Sequence, residues 1–121
     1  MLVKILEEML GFLTKLFGSK SERDIKALLP LVEQTKAEYS KLQSLSNDEL
    51  RAKTIVFKQR IADHLKSIDE EIGGLQQQGE DLTIGVTEKV GIYEKIDKLK
   101  KERDQELEKV LLLLLPEAFA V

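Results

Sequence analysis

Apolar side chains recur three and four residues apart along almost the whole chain, and the phase of that repeat divides it into helices. In the first stretch Leu2, Ile5, Leu6, Met9, Phe12, Leu13, Leu16 and Phe17 fall on one side. Lys4, Glu7, Glu8, Gly11, Thr14 and Lys15 fall on the other. This spacing predicts an amphipathic helix over residues 1–18, weakened at Gly11 and stopped near Gly18. A second helix is expected over 21–44. It opens at Ser21, where Ser21 and Asp24 form an approximate capping box, and carries Ile25, Leu28, Leu29, Val32, Tyr39 and Leu42 on one face. Pro30 inside that pattern predicts a kink or a short break.

The next start signal is stronger. Ser46 and Glu49 form an S-x-x-E capping box, and Leu45 and Leu50 supply the matching hydrophobic staple. Leu50, Phe57, Ile61, Leu65, Ile68, Ile72 and Leu75 then follow at helical spacing. The spacing predicts a helix over 46–75 ending at Gly73-Gly74 or slightly beyond, roughly 40 Å long. Residues 73–86 hold four glycines and read as a turn. A last helix is expected over 87–115, with Ile92, Ile96, Leu99, Leu107, Val110, Leu111 and Leu114 on one stripe and Arg103 occupying one stripe position. Two long stripes joined by a Gly-rich turn predict an antiparallel helical hairpin. The fold class expected is all-α: an elongated hairpin plus shorter N-terminal amphipathic helices.

Composition narrows the function classes. The chain has 121 residues, 42 % hydrophobic and 34 % charged, with two prolines and no cysteine. A disulfide framework, a thiolate metal site and a cysteine nucleophile are therefore excluded. A net charge of −3, with acids and bases interleaved, argues against nucleic acid as a partner. Between Glu88 and Lys109 seven bases meet seven acids, which reads as a solvated helix face. No uncharged run reaches the ~18 residues of a membrane span. Glu7 and Glu8 break the apolar N-terminus, so it does not read as a signal peptide.

No constellation of catalytic residues emerges. His64 is the sole histidine and lacks companions for a zinc site or a nucleophile–base pair, so it reads as a half-exposed helix residue. Asp69, Glu70 and Glu71 lie on a thin hairpin with no pocket to split their pKa values. No G-x-x-x-x-G-K-[ST] loop is present, so the chain is expected to hold no nucleotide, metal or other cofactor and to act by binding. The first helix has two readings. Its stripe either packs on a core or lies in a membrane interface, with Phe12 and Phe17 for bulk and Lys4, Lys15 and Lys20 for headgroups. Glu7 and Glu8 oppose an anionic surface and favour packing. The run Leu111 to Leu115, followed by Pro-Glu-Ala-Phe-Ala-Val, predicts a buried helix with too little chain left to bury it, as in a sequence cut inside a larger domain.

Three stretches resemble the beginning of the SecA family, the ATP-driven motors of bacterial preprotein translocation. They are LGFLTKLFGSKSERDIK (Leu10 to Lys26), LSNDELRAKTIVFKQRI (Leu45 to Ile61) and LLPEAFAV (Leu114 to Val121). Leu45, Ser46, Glu49, Leu50, Arg51, Lys53, Thr54 and Phe57 match the family's L-S-x-x-E-L-[RK]-x-K-T-x-x-[FL] pattern. Leu115, Pro116, Glu117, Ala118, Phe119 and Ala120 match its L-P-E-A-F-A segment. In most of the family a short connection separates the two patterns. The region of about 66–107 therefore resembles a lineage-specific insertion of the Bacteroidetes type. Residues 114–121 would be the truncated start of the first nucleotide-binding domain, and residues before Met9 an alternative start or an extension.

The resemblance implies a cytoplasmic motor, peripherally associated with the inner membrane, that binds the SecY channel complex and acidic phospholipid. With ATP and Mg in the full-length protein, it would drive preproteins across the membrane. The glutamine motif and G-K-T loop of the family lie beyond this chain, so no nucleotide-binding residue carries over. What the chain would contribute is membrane and channel contact through Phe12, Leu13, Leu16 and Phe17, with Lys15 and Lys20 for headgroups, together with helices that pack on the nucleotide-binding domain. Self-association of the fragment is a further expectation. The competing reading is a free-standing coiled-coil adaptor that dimerises through the 50–75 and 87–115 stripes.

Overall fold

The structure, a computed structural model, describes residues 1–121 except for the side chain of Phe17. Four α-helices follow in order: α1 (Leu2–Phe17), α2 (Lys20–Leu42), α3 (Asn47–Glu80) and α4 (Val86–Ala120). The fold is all-α, as the periodicity predicts. Helices α3 and α4 pack along each other as an antiparallel hairpin, and α2 lies against α4. The base of the molecule is thus three helices thick, and the distal arm is two.

The seam is narrow. Leu65 and Ile72 of α3 and Ile96, Val110 and Leu114 of α4 are buried, with Leu65 and Ile96 each only 2 % exposed. Phe57, Ile61, Ile68, Ile92, Leu99 and Leu107 are half-buried along the same stripes. Leu111, assigned to the stripe from its spacing, is exposed beside the seam. Arg103 does occupy a seam position, where its guanidinium binds the Asp69 carboxylate from α3. Opposite charge at that level lets a cation sit on the stripe without being left unpaired.

Several boundaries differ from the sequence reading, each for a local reason. Helix α2 begins at Lys20, not Ser21. Its cap is Ser19, whose hydroxyl accepts from the Glu22 amide at 3.1 Å while the Glu22 carboxylate accepts from the Ser19 amide at 3.2 Å. Glutamate at the third helical position has the reach for this reciprocal box, and Asp24, one methylene shorter, gives Ser21 no equivalent. The helix passes Pro30 unbroken. Ser46 and Glu49 close the second box at 3.3 and 2.7 Å. The helix that it starts does not end at Gly73-Gly74 but continues to Glu80.

Glycine costs about 1 kcal/mol in a helix interior, but the seam outweighs it here. Ile72 is buried and Leu75 half-buried, and Gly79 is buried under Tyr93. A Cβ on Gly79 would lie 3.3 Å from the tyrosine ring, so the missing side chain lets α4 approach. The turn is consequently short, residues 81–85, and is pinned by the Asp81 carboxylate, which accepts from the Thr83 amide and hydroxyl. Likewise α4 does not stop at Leu115. It runs through Pro116 to Ala120, because Ala120 is buried and Glu117 binds Arg60 of α3 at 2.6 Å. Those contacts offset the lost proline amide.

Candidate interaction surface

Helix α1 carries the surface singled out from the sequence, and no neighbouring helix packs along it. Every described side chain from Leu2 to Leu16 is exposed. Phe12 is 65 % exposed, and Leu13 and Leu16 are exposed with it. The Phe17 side chain lies outside the described residues. The stripe is also wider than the spacing argument made it. Val3 and Leu10 extend it to one side, at three and four residues from Leu6, and both are exposed. That three–four relation was the signal that could have found them.

The two lysines assigned to headgroups sit on different elements. Lys15 is in the last turn of α1, and Lys20 is the first residue of α2. Between the helices Gly18 adopts φ 66°, ψ 164°, a left-handed φ that favours glycine. This corner separates α1 from the base. Glu7 and Glu8 offset Lys4 and Lys15 on the polar side, so apolar area rather than charge dominates α1.

The two matched patterns lie far apart in sequence but meet in space. Leu45 and Leu50 are half-buried at the α2–α3 corner, where a shallow hollow is lined by them together with Tyr39, Leu42 and Ala120. Arg60, just beyond the first pattern, binds Glu117 of the second. Lys53, Phe57, Leu115 and Pro116 are half-buried, whereas Arg51, Thr54, Ala118 and Phe119 are exposed. Arg51 pairs within its own helix with Asp48 at 3.3 Å. Hydrogen bonding from the Ser46 amide and hydroxyl holds the Glu49 carboxyl below the usual carboxylate range. The hairpin arm leaves and returns to the same place, which is why the two patterns stay adjacent across it.

Phe119 also faces α2 across an apolar groove of about 430 Å³ lined by Leu28, Leu31, Val32 and Thr35. His64 lies across the seam from Glu106, with Nε2 2.9 Å from a carboxylate oxygen. Lys109 donates to the other oxygen, and the two contacts, Lys109 foremost, lower the Glu106 pKa. Among the described residues no group of three histidine, aspartate or glutamate side chains is arranged to hold a metal ion. No described helix is long and apolar enough to cross a membrane. The arrangement offers apolar contact area and no enclosed chemistry.

Curated relatives decide the family. The protein translocase subunit SecA of Cytophaga hutchinsonii is 46 % identical over 93 % of this chain. The SecA of Parabacteroides distasonis is 43 % identical over 91 %, and that of Chloroherpeton thalassium 40 % over 93 %. The chain is a SecA-family segment. It spans only about a tenth of the length of these relatives: 10 %, 10 % and 11 % in the order given. A match covering 93 % of the chain takes in the hairpin, so these SecA proteins share residues 66–107 rather than lacking them. No family model and no solved structure matches the chain.

Proposed function

We propose that this segment serves the attachment of a SecA-type translocase to its membrane and channel, and that α1 is the attaching element. The observation that carries the reading is the unpartnered apolar face of α1, set apart from the base at Gly18. A helix of this kind gains by entering an interface, where burying Phe12, Leu13 or Leu16 contributes ~1.5–3 kcal/mol each when complete. A lysine near an anionic surface adds ~1 kcal/mol, so Lys15 and Lys20 set lipid preference rather than affinity.

In the whole protein this places the segment on a cytoplasmic motor bound peripherally to acidic phospholipid and the SecY channel. The motor moves preproteins with ATP, while the segment itself holds no nucleotide. Helices α2 to α4 serve as the packing base for α1 and for the rest of the protein. The adaptor reading has less support, because the α3 and α4 stripes it needs for dimerisation face each other within one chain.

Liposome flotation tests the attachment. The wild-type chain should float with anionic vesicles. Phe12→Asp/Leu13→Asp should lose binding to all lipids, and Lys15→Gln/Lys20→Gln only the preference for anionic ones. A wild type that ignores anionic vesicles, with α1 amides already protected from hydrogen exchange, would overturn the reading.

A further inference from the structure

The distal arm of the hairpin differs in charge from everything else in the chain. Residues 75–97, whose ends lie level across the seam, hold five acidic and two basic side chains, a net −3, which leaves the remainder of a chain at −3 neutral. One of the two bases, Lys89, is half-buried and acts on Asp81 in the turn. The other, Lys95, lies by helix spacing on the opposite side of α4 from Val86, Val90 and Tyr93.

Those three residues fall at i, i+4 and i+7 and are all exposed, Val86 at 80 %, beside Leu82 in the turn at 93 %. Isolated exposed apolar residues are ordinary, but four at one tip form a patch. Its largest member packs against α3: the Tyr93 ring lies over Gly79 and is still half exposed. An aromatic packed in this way suits an anchor position. Glu94 and Asp97 continue the same face one turn on from Val90 and Tyr93, and both are exposed.

We propose that the tip of the α3–α4 hairpin is a docking surface for a basic protein segment with an apolar anchor, seated on Val86, Val90 and Tyr93 and framed by Glu94 and Asp97. The charge selects the partner class. A net −3 repels the phosphates of nucleic acid and an anionic bilayer alike, so the tip and α1 take different partners. A cationic peptide is attracted by the field of the arm and held by the patch. The arm projects roughly 30 Å beyond Ile61, at 1.5 Å for each of the residues to Glu80. That reach carries the patch clear of the base.

The test uses the full chain and a fluorescein-labelled amphipathic peptide of leucine and lysine at helical spacing, with a twin carrying glutamate for lysine. Anisotropy should report binding of the lysine peptide that weakens with salt, and none of the glutamate peptide. Val90→Ser/Tyr93→Ser should weaken the lysine peptide on the order of 30-fold. Glu94→Lys/Asp97→Lys, on an exposed face that the fold does not use, should weaken it about tenfold. Phe12→Asp/Leu13→Asp in α1 should leave it within about twofold. Equal binding of the two peptides, no response to the tip variants, or loss of binding in the α1 variant would each overturn the proposal, the last by assigning the site to α1.

Discussion

Truncation of Leu65 to alanine removes three carbons from one of the most enclosed side chains in the chain, and the hairpin model fixes what that should cost. Leu65 is 2 % exposed in the α3–α4 seam. At about 0.8 kcal/mol per buried methylene-sized group, the transfer loss is ~2.4 kcal/mol, to which any residual cavity adds. A two-helix arm has solvent on both sides of its seam, so a hole there collapses or fills more readily than in a globular core. The expected loss is therefore about 2–3 kcal/mol, the low end of the range for buried leucine. Ile96→Ala, equally enclosed on α4, should cost a similar amount.

Taking the Asp69–Arg103 pair and the Gly79–Tyr93 contact as the register, Ile96 sits level with about residue 76 of α3, eleven residues from Leu65. That is roughly 16 Å along the axis. At such separation the double variant should be additive within ~0.5 kcal/mol. Lys98→Asp and Lys101→Asp, exposed on the outer side of α4, should stay within about 0.5 kcal/mol of wild type. Urea unfolding followed by circular dichroism at 222 nm measures all of these. Inner and outer substitutions of equal cost, or losses below about 1 kcal/mol at both Leu65 and Ile96, would refute the seam.

Glu106 should make the hairpin acid-sensitive. Its folded-state pKa is depressed by Lys109 and His64, so its contribution is present above the ordinary carboxylate range and is lost as pH falls through the lowered value. The urea midpoint of wild type should drop on acidification more than that of Glu106→Gln. Gly74→Ala, where a new Cβ meets nothing within 4 Å, should stabilise by about 0.5–1 kcal/mol. Gly79→Ala should gain less or destabilise, because its Cβ meets the Tyr93 ring, and thermal melts of the two variants give the comparison. Purified chain should neither bind nor hydrolyse ATP, and a thermal shift at millimolar nucleotide would contradict this, since a ligand of the native state raises its apparent stability.

The helices themselves were legible in the sequence, because a 3.6-residue repeat of leucine and isoleucine and an S-x-x-E box are local signals. Ser46 with Glu49 marks the start of α3 from four residues alone, and the amphipathic α1 is visible in its first two turns. Ends were less legible. Gly73, Gly74 and Pro116 read locally as breaks, yet α3 and α4 continue through them because neighbouring helices cover the added turns at Leu75, Gly79, Glu117 and Ala120. A local penalty of about 1 kcal/mol for each glycine and roughly 3 for proline is overruled only by contacts far away in sequence.

The surfaces divide along the same line. The stripe of α1 could be read from spacing, but that nothing covers it is a property of the packed molecule. The meeting of Arg60 with Glu117 and the seating of Tyr93 on Gly79 were likewise settled only in three dimensions. Periodicity states which side chains seek burial; the tertiary structure decides which find it, since burial depends on the neighbour supplied by a distant part of the chain.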